Sequence, residues 1–134
     1  NRFETAGERR VVWLAPDEYL LLCESGKEKA LHDTLTSTIK TSHFAITDVS
    51  DSLCALLLGG PAVRDVLAKG CSLDLHPSKF YAGKCAQSLL AHAGITLMSL
   101  SNDSFILICR TSFASYVHDW LVDAALEYGY RFAT

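Results

Sequence analysis

Residues 48–77 read DVSDSLCALLLGGPAVRDVLAKGCSLDLHP, and this stretch has the clearest pattern in the chain. Its residues 52–58 form a short apolar run between turn-forming residues, which predicts a strand covered on both faces. A glycine pair ends that strand, and Pro61 stands where the first helical residue needs no N–H donor. Valine and leucine then recur at helical spacing, and Gly70 predicts a left-handed cap. The stretch therefore predicts a strand, a tight turn, a short helix and a sharp stop.

The turn Gly59-Gly60-Pro61 also raises the question of phosphate binding, because a glycine turn before a helix can cradle a phosphate. The turn has neither the Walker spacing followed by Lys-Ser/Thr nor a G-x-G-x-x-G run, and its proline removes a backbone donor. Packing geometry is therefore the favoured interpretation of this turn, with phosphate binding as the minor alternative.

Length and composition bound the class of protein. The 134 residues indicate one domain, residues 1–134, which can bury roughly two-thirds of the surface of its unfolded chain. Lys and Arg number 12, Asp and Glu 15, and the formal net charge is −3. This balance gives no reason to expect nucleic-acid binding. No apolar run approaches the roughly 20 residues that span a bilayer, so we expect a cytoplasmic protein without membrane binding. The start at Asn1 is compatible with removal of a native N-terminal segment.

The five cysteines form no C-x-x-C pair, and their odd number argues against a disulfide framework. Cys23, Cys54 and Cys109 lie in strand-like runs, where cysteine behaves as a small buried hydrophobe. A second set has the ligand types for zinc but lacks the two ligands from one tight knuckle that structural sites use. The members of that set are Cys71, His76, Cys85 and His92. We therefore expect neither a metal site nor a Cys-His nucleophile.

Asp48 and Asp51 are the candidates for acid–base chemistry, since paired carboxylates can exchange protons. The simpler interpretation is a turn, because short polar side chains bond their own backbone there. His32 and His43 are interpreted as surface residues. We expect no catalytic residue in this chain.

The remaining apolar patterns predict the other elements. Strands are predicted at residues 10–15, 18–23, 44–49, 52–58, 85–92, 95–100 and 105–110, and longer helices at 25–39 and 112–129. The turn before the sixth strand is predicted at Ala93-Gly94. Ser112 is the candidate cap of the last helix, Trp120 part of its core-facing side and Gly129 its stop. The order ββα ββα βββα indicates an α+β fold, mostly antiparallel with helices packed on one face, similar to ferredoxin-like repeats.

These residues resemble a known family, the gamma subunit of heterotetrameric sarcosine oxidase. The most specific part is residues 69–77, KGCSLDLHP, a nine-residue run of mixed chemistry. The resemblance extends from Trp13 to Gly129. Its motif residues, which we expect to have structural roles, are Asp48, Ser50, Asp51, Gly59, Pro61, Gly70, Cys71, Asp74, His76, Pro77 and Cys85. The layout is also similar, more remotely, to the folate-binding aminomethyltransferase of the glycine cleavage system.

The resemblance implies a non-catalytic accessory subunit of an oxidase complex that also contains alpha, beta and delta subunits. Such a complex demethylates sarcosine to glycine and passes the one-carbon unit to tetrahydrofolate. FAD, FMN, NAD and tetrahydrofolate are then expected in the partner subunits, and no cofactor in this chain. Trp13, Phe80 and Tyr81 are the expected contacts with those partners.

The alternative is a stand-alone folate-binding or one-carbon protein with the aminomethyltransferase-like fold. The folate enzymes carry an acidic pair just after the hairpin glycine, where a carboxylate can assist chemistry on the folate nitrogen. In this sequence Gly94 is followed by Ile-Thr-Leu-Met. The resemblance thus favours a degenerate copy of the fold that is retained as a structural subunit.

Overall fold

The computed structural model describes residues 2–40 and 43–133, which form two antiparallel sheets and three α-helices. The first sheet contains β1 (Phe3–Ala6), β2 (Arg9–Ala15) and β3 (Glu18–Leu22), and helix α1 (Glu28–Thr38) follows it. The second sheet contains β4 (Leu53–Gly59), β5 (Cys85–Leu90), β6 (Ala93–Ser101) and β7 (Ser104–Arg110) in the order β4-β7-β6-β5. Helix α2 (Val63–Ala68) follows β4, and α3 (Ala114–Ala125) follows β7. The expected α+β class with antiparallel sheets is confirmed.

One face of the four-stranded sheet, here called the helical face, packs against α2 and α3. Alternate residues of its strands point into this core because side chains of a strand alternate between the two faces. The buried members include Leu90, Ala93, Ile95, Leu97, Phe105, Leu107 and Cys109 from the strands, with Val63 and Leu67 from α2 and Val117 from α3. Trp120 is half-buried against the same core, as its helical position predicted.

The opposite face, here called the second face, is covered in part by the first sheet. Cys85, Met98 and Ile108 form a smaller core there with Phe3 and Val12. At the β4 end of this face, Leu53 packs against the smaller core and Leu57 is exposed.

The predicted strand, turn and helix at residues 52–68 are confirmed, with three differences in detail. Helix α2 begins at Val63 with Ala62 as its N-cap, so Pro61 precedes the helix and is not its first residue. Gly70 does not have a positive φ, and the left-handed cap predicted there is wrong. The positive φ belongs to Gly60, at 126°, because the chain reverses immediately after β4. The third difference is that β4 is covered on one face and not on two, since Leu57 is 71% exposed.

Four other expectations need correction. Strand β1 was not expected, and it forms because β2 offers it a free edge. Residues 44–49 form no strand, since no neighbouring strand in the described ranges supplies a ladder. The hairpin between β5 and β6 turns at Ala91, whose φ is +49°, and not at Ala93-Gly94. Ser112 makes no capping bond and lies in a 3₁₀ turn before α3. Gly129, with a φ of 74°, lies where the helical turns after α3 end.

Candidate functional site

The turn before β4 is held by Asp48, which was a candidate for acid–base chemistry. Its Oδ1 accepts the Ser50 backbone N–H at 2.9 Å and the Ser50 hydroxyl at 2.6 Å. These hydrogen bonds hold the pKa of Asp48 below its usual value. Asp51 lies in the following 3₁₀ turn, and its backbone carbonyl accepts the Thr111 hydroxyl at 3.0 Å. The described bonds of both residues thus fix the turn.

The first part of the 69–77 run ties α2 to α3. The ammonium of Lys69 donates to the Ala124 carbonyl at 2.6 Å and pairs with the carboxylate of Glu127. Gly70 lies against the ring of Trp120, where an added Cβ would stand 2.8 Å from Cη2. Glycine is required here by this close approach and not by backbone conformation.

The second part of the run is a loop that Arg64 of α2 holds in place. The Arg64 guanidinium donates to the carbonyls of Leu75 and Phe80, the latter at 3.1 Å, and to Asn102 at 2.7 Å. It also lies over the Phe105 ring, 4.9 Å from the centroid. Arg64 was not singled out from the sequence, because the carbonyls it bonds belong to distant segments.

The polar side chains of this loop bond their near neighbours. Asp74 Oδ1 accepts the His76 N–H at 3.0 Å, and His76 Nδ1 lies 2.8 Å from the Ser78 hydroxyl. Pro77 is exposed between them. These bonds form turns and fix the backbone of the loop.

Three of the five cysteines are buried, whereas Cys23 and Cys54 are only partly buried. Cys71 is buried beside the Ser88 hydroxyl, 3.7 Å away, whereas Cys85 is buried on the second face near the Trp13 carbonyl. Burial raises the pKa of the Cys85 and Cys109 thiols, which disfavours the reactive thiolate. Among the described side chains, no group of three His, Cys, Asp or Glu residues is placed to hold a metal ion.

An open groove of about 1290 Å³ lies among the described residues. Helix α1, strand β3 and the segment 43–50 form its walls, and the second face forms its floor. Leu31 and Leu35 of α1 and the following Ile39 contribute its apolar wall. Most of the hydrogen bonds that its polar side chains make join near neighbours in sequence, as in the bond between Asp48 and Ser50. The groove thus offers a partly apolar surface for packing.

The three expected contact residues differ in exposure. Trp13 and Tyr81 are 42% and 41% exposed. Phe80 is 5% exposed and stacks on Phe105 with ring centroids 6.3 Å apart, so its ring is not available to a partner. The loop after residue 77 turns Phe80 inward, and only the contact between the two rings reveals this.

Trp13 belongs to a larger apolar surface on the outer face of the first sheet. Trp13 pairs with Tyr19 across β2 and β3, and Val11 pairs with Leu21 on the same face. Val11 is 41% and Tyr19 is 55% exposed. Tyr19 was missed because a hairpin strand read alone does not show which of its faces is covered. None of the helices in the described ranges is long and apolar enough to cross a bilayer.

Comparison with known proteins gives a consistent result. The model of the sarcosine oxidase gamma subunit family matches residues 2–127. The gamma subunit of sarcosine oxidase from Corynebacterium sp. strain U-96 is 35% identical over 128 residues, which cover 93% of this chain and 62% of that protein. The chain therefore spans less than two-thirds of the length of this relative.

Two further similarities concern the fold and a remote relative. A chain of the heterotetrameric sarcosine oxidase from Corynebacterium sp. U-96, solved in complex with pyrrole 2-carboxylate, superposes with a TM-score of 0.88. It is 31% identical, and the match covers 99% of this chain and 68% of that one. An aminomethyltransferase from Saccharopolyspora erythraea is 29% identical over 88% of this chain and 32% of its own length. On the family match and these identities, the chain belongs to the sarcosine oxidase gamma subunit family.

Proposed function

We propose that this chain is a non-catalytic accessory subunit of a heterotetrameric sarcosine oxidase, assembled in the cytoplasm with alpha, beta and delta subunits. In this proposal those partners bind FAD, FMN, NAD and tetrahydrofolate. They carry out the demethylation of sarcosine to glycine and the transfer of the one-carbon unit. The family membership supports the proposal, and the apolar surface around Trp13 is the structural observation that carries it.

The outer face of the first sheet, defined by Val11, Trp13, Tyr19 and Leu21, has the character of an interface. Two aromatic side chains lie side by side there and expose about half of their surface. Aromatic residues are enriched at protein interfaces because they bury a large area with few rotatable bonds. Contiguous exposed apolar residues of this kind mark interaction sites.

Tyr81 supports the same proposal from the neighbouring loop. Its ring lies under the ammonium of Lys84, 5.2 Å from the centroid, and the Lys84 backbone N–H bonds the Tyr81 carbonyl at 3.1 Å. Cys85 follows Lys84 in the chain, and its thiol donates to the Trp13 backbone carbonyl, with Sγ and the oxygen 3.6 Å apart. Trp13 and Tyr81 are thus proposed to contact the same partner.

The chemistry of the described residues supports an accessory role. The carboxylate of Asp48 accepts two bonds from its own turn, and the thiols of Cys85 and Cys109 have raised pKa values. An activated base or nucleophile needs the opposite arrangement, with a proton acceptor free to reach a substrate.

A stand-alone folate protein is not favoured. The positions after Gly94 that would have to carry the acidic pair are Ile95, Thr96, Leu97 and Met98. Three of these side chains are buried in the two cores. The strand therefore uses these positions for packing, and the remote aminomethyltransferase match covers only a third of that enzyme.

The proposal is tested by purifying the tagged full chain from an extract of its own host and recording a denaturing gel and a visible absorption spectrum. Larger companion bands with flavin absorbance are expected. Trp13→Ala should reduce the yield of companions, whereas Thr5→Ala, at an exposed position on β1, should not. A single colourless wild-type band would overturn the proposal, and tetrahydrofolate titration would then become the deciding measurement.

A further inference from the structure

Two free thiols lie directly opposite each other in the four-stranded sheet. Cys54 of β4 and Cys109 of β7 are register partners in a regular antiparallel ladder. Residues that face each other in this way point to the same side of the sheet. Both side chains accordingly belong to the core of the helical face. The two cysteines are far apart in the sequence, and the pairing of β4 with β7 brings them together.

The spacing of an antiparallel ladder is close to that of a disulfide. Opposite Cα atoms in such a ladder are about 4.5 or 5.5 Å apart, and disulfides span Cα separations of about 4.4 to 6.8 Å. Opposite Cβ atoms are about 4.5 to 5.5 Å apart, whereas a disulfide needs about 3.5 to 4.5 Å. Bond formation therefore requires a small approach of the two strands. Strand β4 stands at one end of the sheet, where it can move more easily than a central strand.

The other three cysteines are not placed to compete for this bond. Cys85 lies on the second face of the sheet. Cys71 forms a bridge with β5, and β6 separates β5 from β7. Cys23 follows β3 of the first sheet. Within residues 2–40 and 43–133, a disulfide is therefore expected only between the cysteines of β4 and β7.

The two thiols of this pair differ in their access to solvent, and this difference assigns their roles. Cys109 is 2% exposed, whereas Cys54 is only partly buried. Burial raises the pKa of the Cys109 thiol, so that little of it is thiolate at neutral pH. A dissolved oxidant therefore meets Cys54 first, and Cys109 is the neighbouring thiol that reacts with the oxidised sulfur.

We propose that Cys54 and Cys109 are an oxidisable pair that forms a reversible cross-strand disulfide with hydrogen peroxide as the oxidant. The Cys54 sulfur attacks one peroxide oxygen, the O–O bond breaks, and a sulfenic acid and one water molecule are formed. The Cys109 sulfur then attacks the sulfenic sulfur and the S–O bond breaks. The hydroxyl leaves with the thiol proton as a second water molecule. The two thiols together lose two electrons, which reduce the peroxide to water.

The proposed disulfide is labile and ties β4 to its neighbour. The wide Cβ spacing of the ladder implies strain in the bond, and strained disulfides are reduced more readily than structural ones. A reducing compartment therefore restores both thiols after the oxidant is removed. While the bond lasts, it prevents β4 from separating from β7. This inference does not depend on the proposed function.

The experiment uses the full chain as purified from its host, with the companions that it retains, and treats it with hydrogen peroxide under native conditions. Remaining thiols are blocked with N-ethylmaleimide, and a non-reduced digest is analysed by mass spectrometry. The peptide pair that joins Cys54 to Cys109 should increase roughly tenfold and disappear after dithiothreitol, which reduces such bonds by exchange. In Cys109→Ser this pair should be lost, and Cys54 should react with dimedone, a reagent for sulfenic acids. Cys85→Ser is the matched control, a buried cysteine on the second face, and should keep the cross-link.

Three results would overturn the inference. The first is oxidation of Cys54 to a sulfinic or sulfonic acid in the wild-type chain without a bond to Cys109. The second is a cross-link from Cys54 to any of the other three cysteines in the folded protein. The third is retention of both thiols at a peroxide concentration that oxidises free glutathione. The wild-type measurement decides among these results even if Cys109→Ser does not fold.

Discussion

On the helical face of the four-stranded sheet, Leu97 and Leu107 are completely buried under α2 and α3, whereas on the second face Leu57 is 71% and Leu89 55% exposed. All four leucines belong to the same sheet, Leu97 and Leu107 to its central strands and Leu57 and Leu89 to its edge strands. The difference is the cover: two helices lie on one face, and the small first sheet reaches only part of the other. We infer that the helical face supplies most of the stability of the four-stranded sheet and that the second face contributes less.

Adjacent residues of β7 give the strongest test of that comparison. Leu107 is fully buried on the helical face, and Ile106 is half-buried on the second face. Leu107→Ala should lower the free energy of unfolding by about 3 to 4 kcal/mol, because it leaves a cavity in a closed core. Ile106→Ala should cost about half as much, since less of its side chain is buried. Urea denaturation measures both, and equal losses would contradict the comparison.

Substitution of one glycine on each side of the four-stranded sheet provides the second test of the difference between its two faces. Gly70→Ala would place a methyl group 2.8 Å from Trp120 Cη2, and we expect a loss of about 1 to 3 kcal/mol from the forced shift of the ring. Gly94→Ala meets no atom within 4 Å and should change stability by less than about 0.5 kcal/mol. The thermal midpoints of the two variants give the answer. A harmless Gly70→Ala would mean that the packing of α3 on α2 is loose.

The smallest expected effects concern the pKa values of two exposed carboxyl groups. The pKa of Asp48 is lowered from its usual 3.8 by bonds from Ser50, and that of Glu127 from 4.5 by Lys69. Each therefore contributes stability above its usual pKa that is lost as the pH falls through the lowered value. Ser50→Ala should raise only the pKa of Asp48, and Lys69→Met only that of Glu127. NMR titration of the carboxyl groups measures both pKa values. A change in the pKa of Glu127 in Ser50→Ala, or of Asp48 in Lys69→Met, would show coupling between the two regions.

Much of the candidate site can be predicted from local sequence patterns. The turn at Asp48 forms as its short polar residues predicted, because both partners of its bonds lie within two residues. The role of Arg64 and the burial of Phe80 were not predictable in this way. Arg64 bonds the Asn102 carbonyl 38 residues away, and Phe80 stacks on Phe105. Such contacts depend on how separate segments are brought together.

By itself the sequence determined the elements whose signals are local: β4 with its glycine turn and α2, the meander of β5 to β7, and the apolar stripe of α3. Periodicity and turn residues act over a few positions, so they can be read along the chain. Only the tertiary structure decided that residues 44–49 remain outside a sheet, that Gly70 makes room for Trp120, and that β4 pairs with β7 at one end of the sheet. These outcomes depend on which segments pack against each other and on how much of each strand they bury. An apolar run in the sequence does not show which of its residues distant segments will bury.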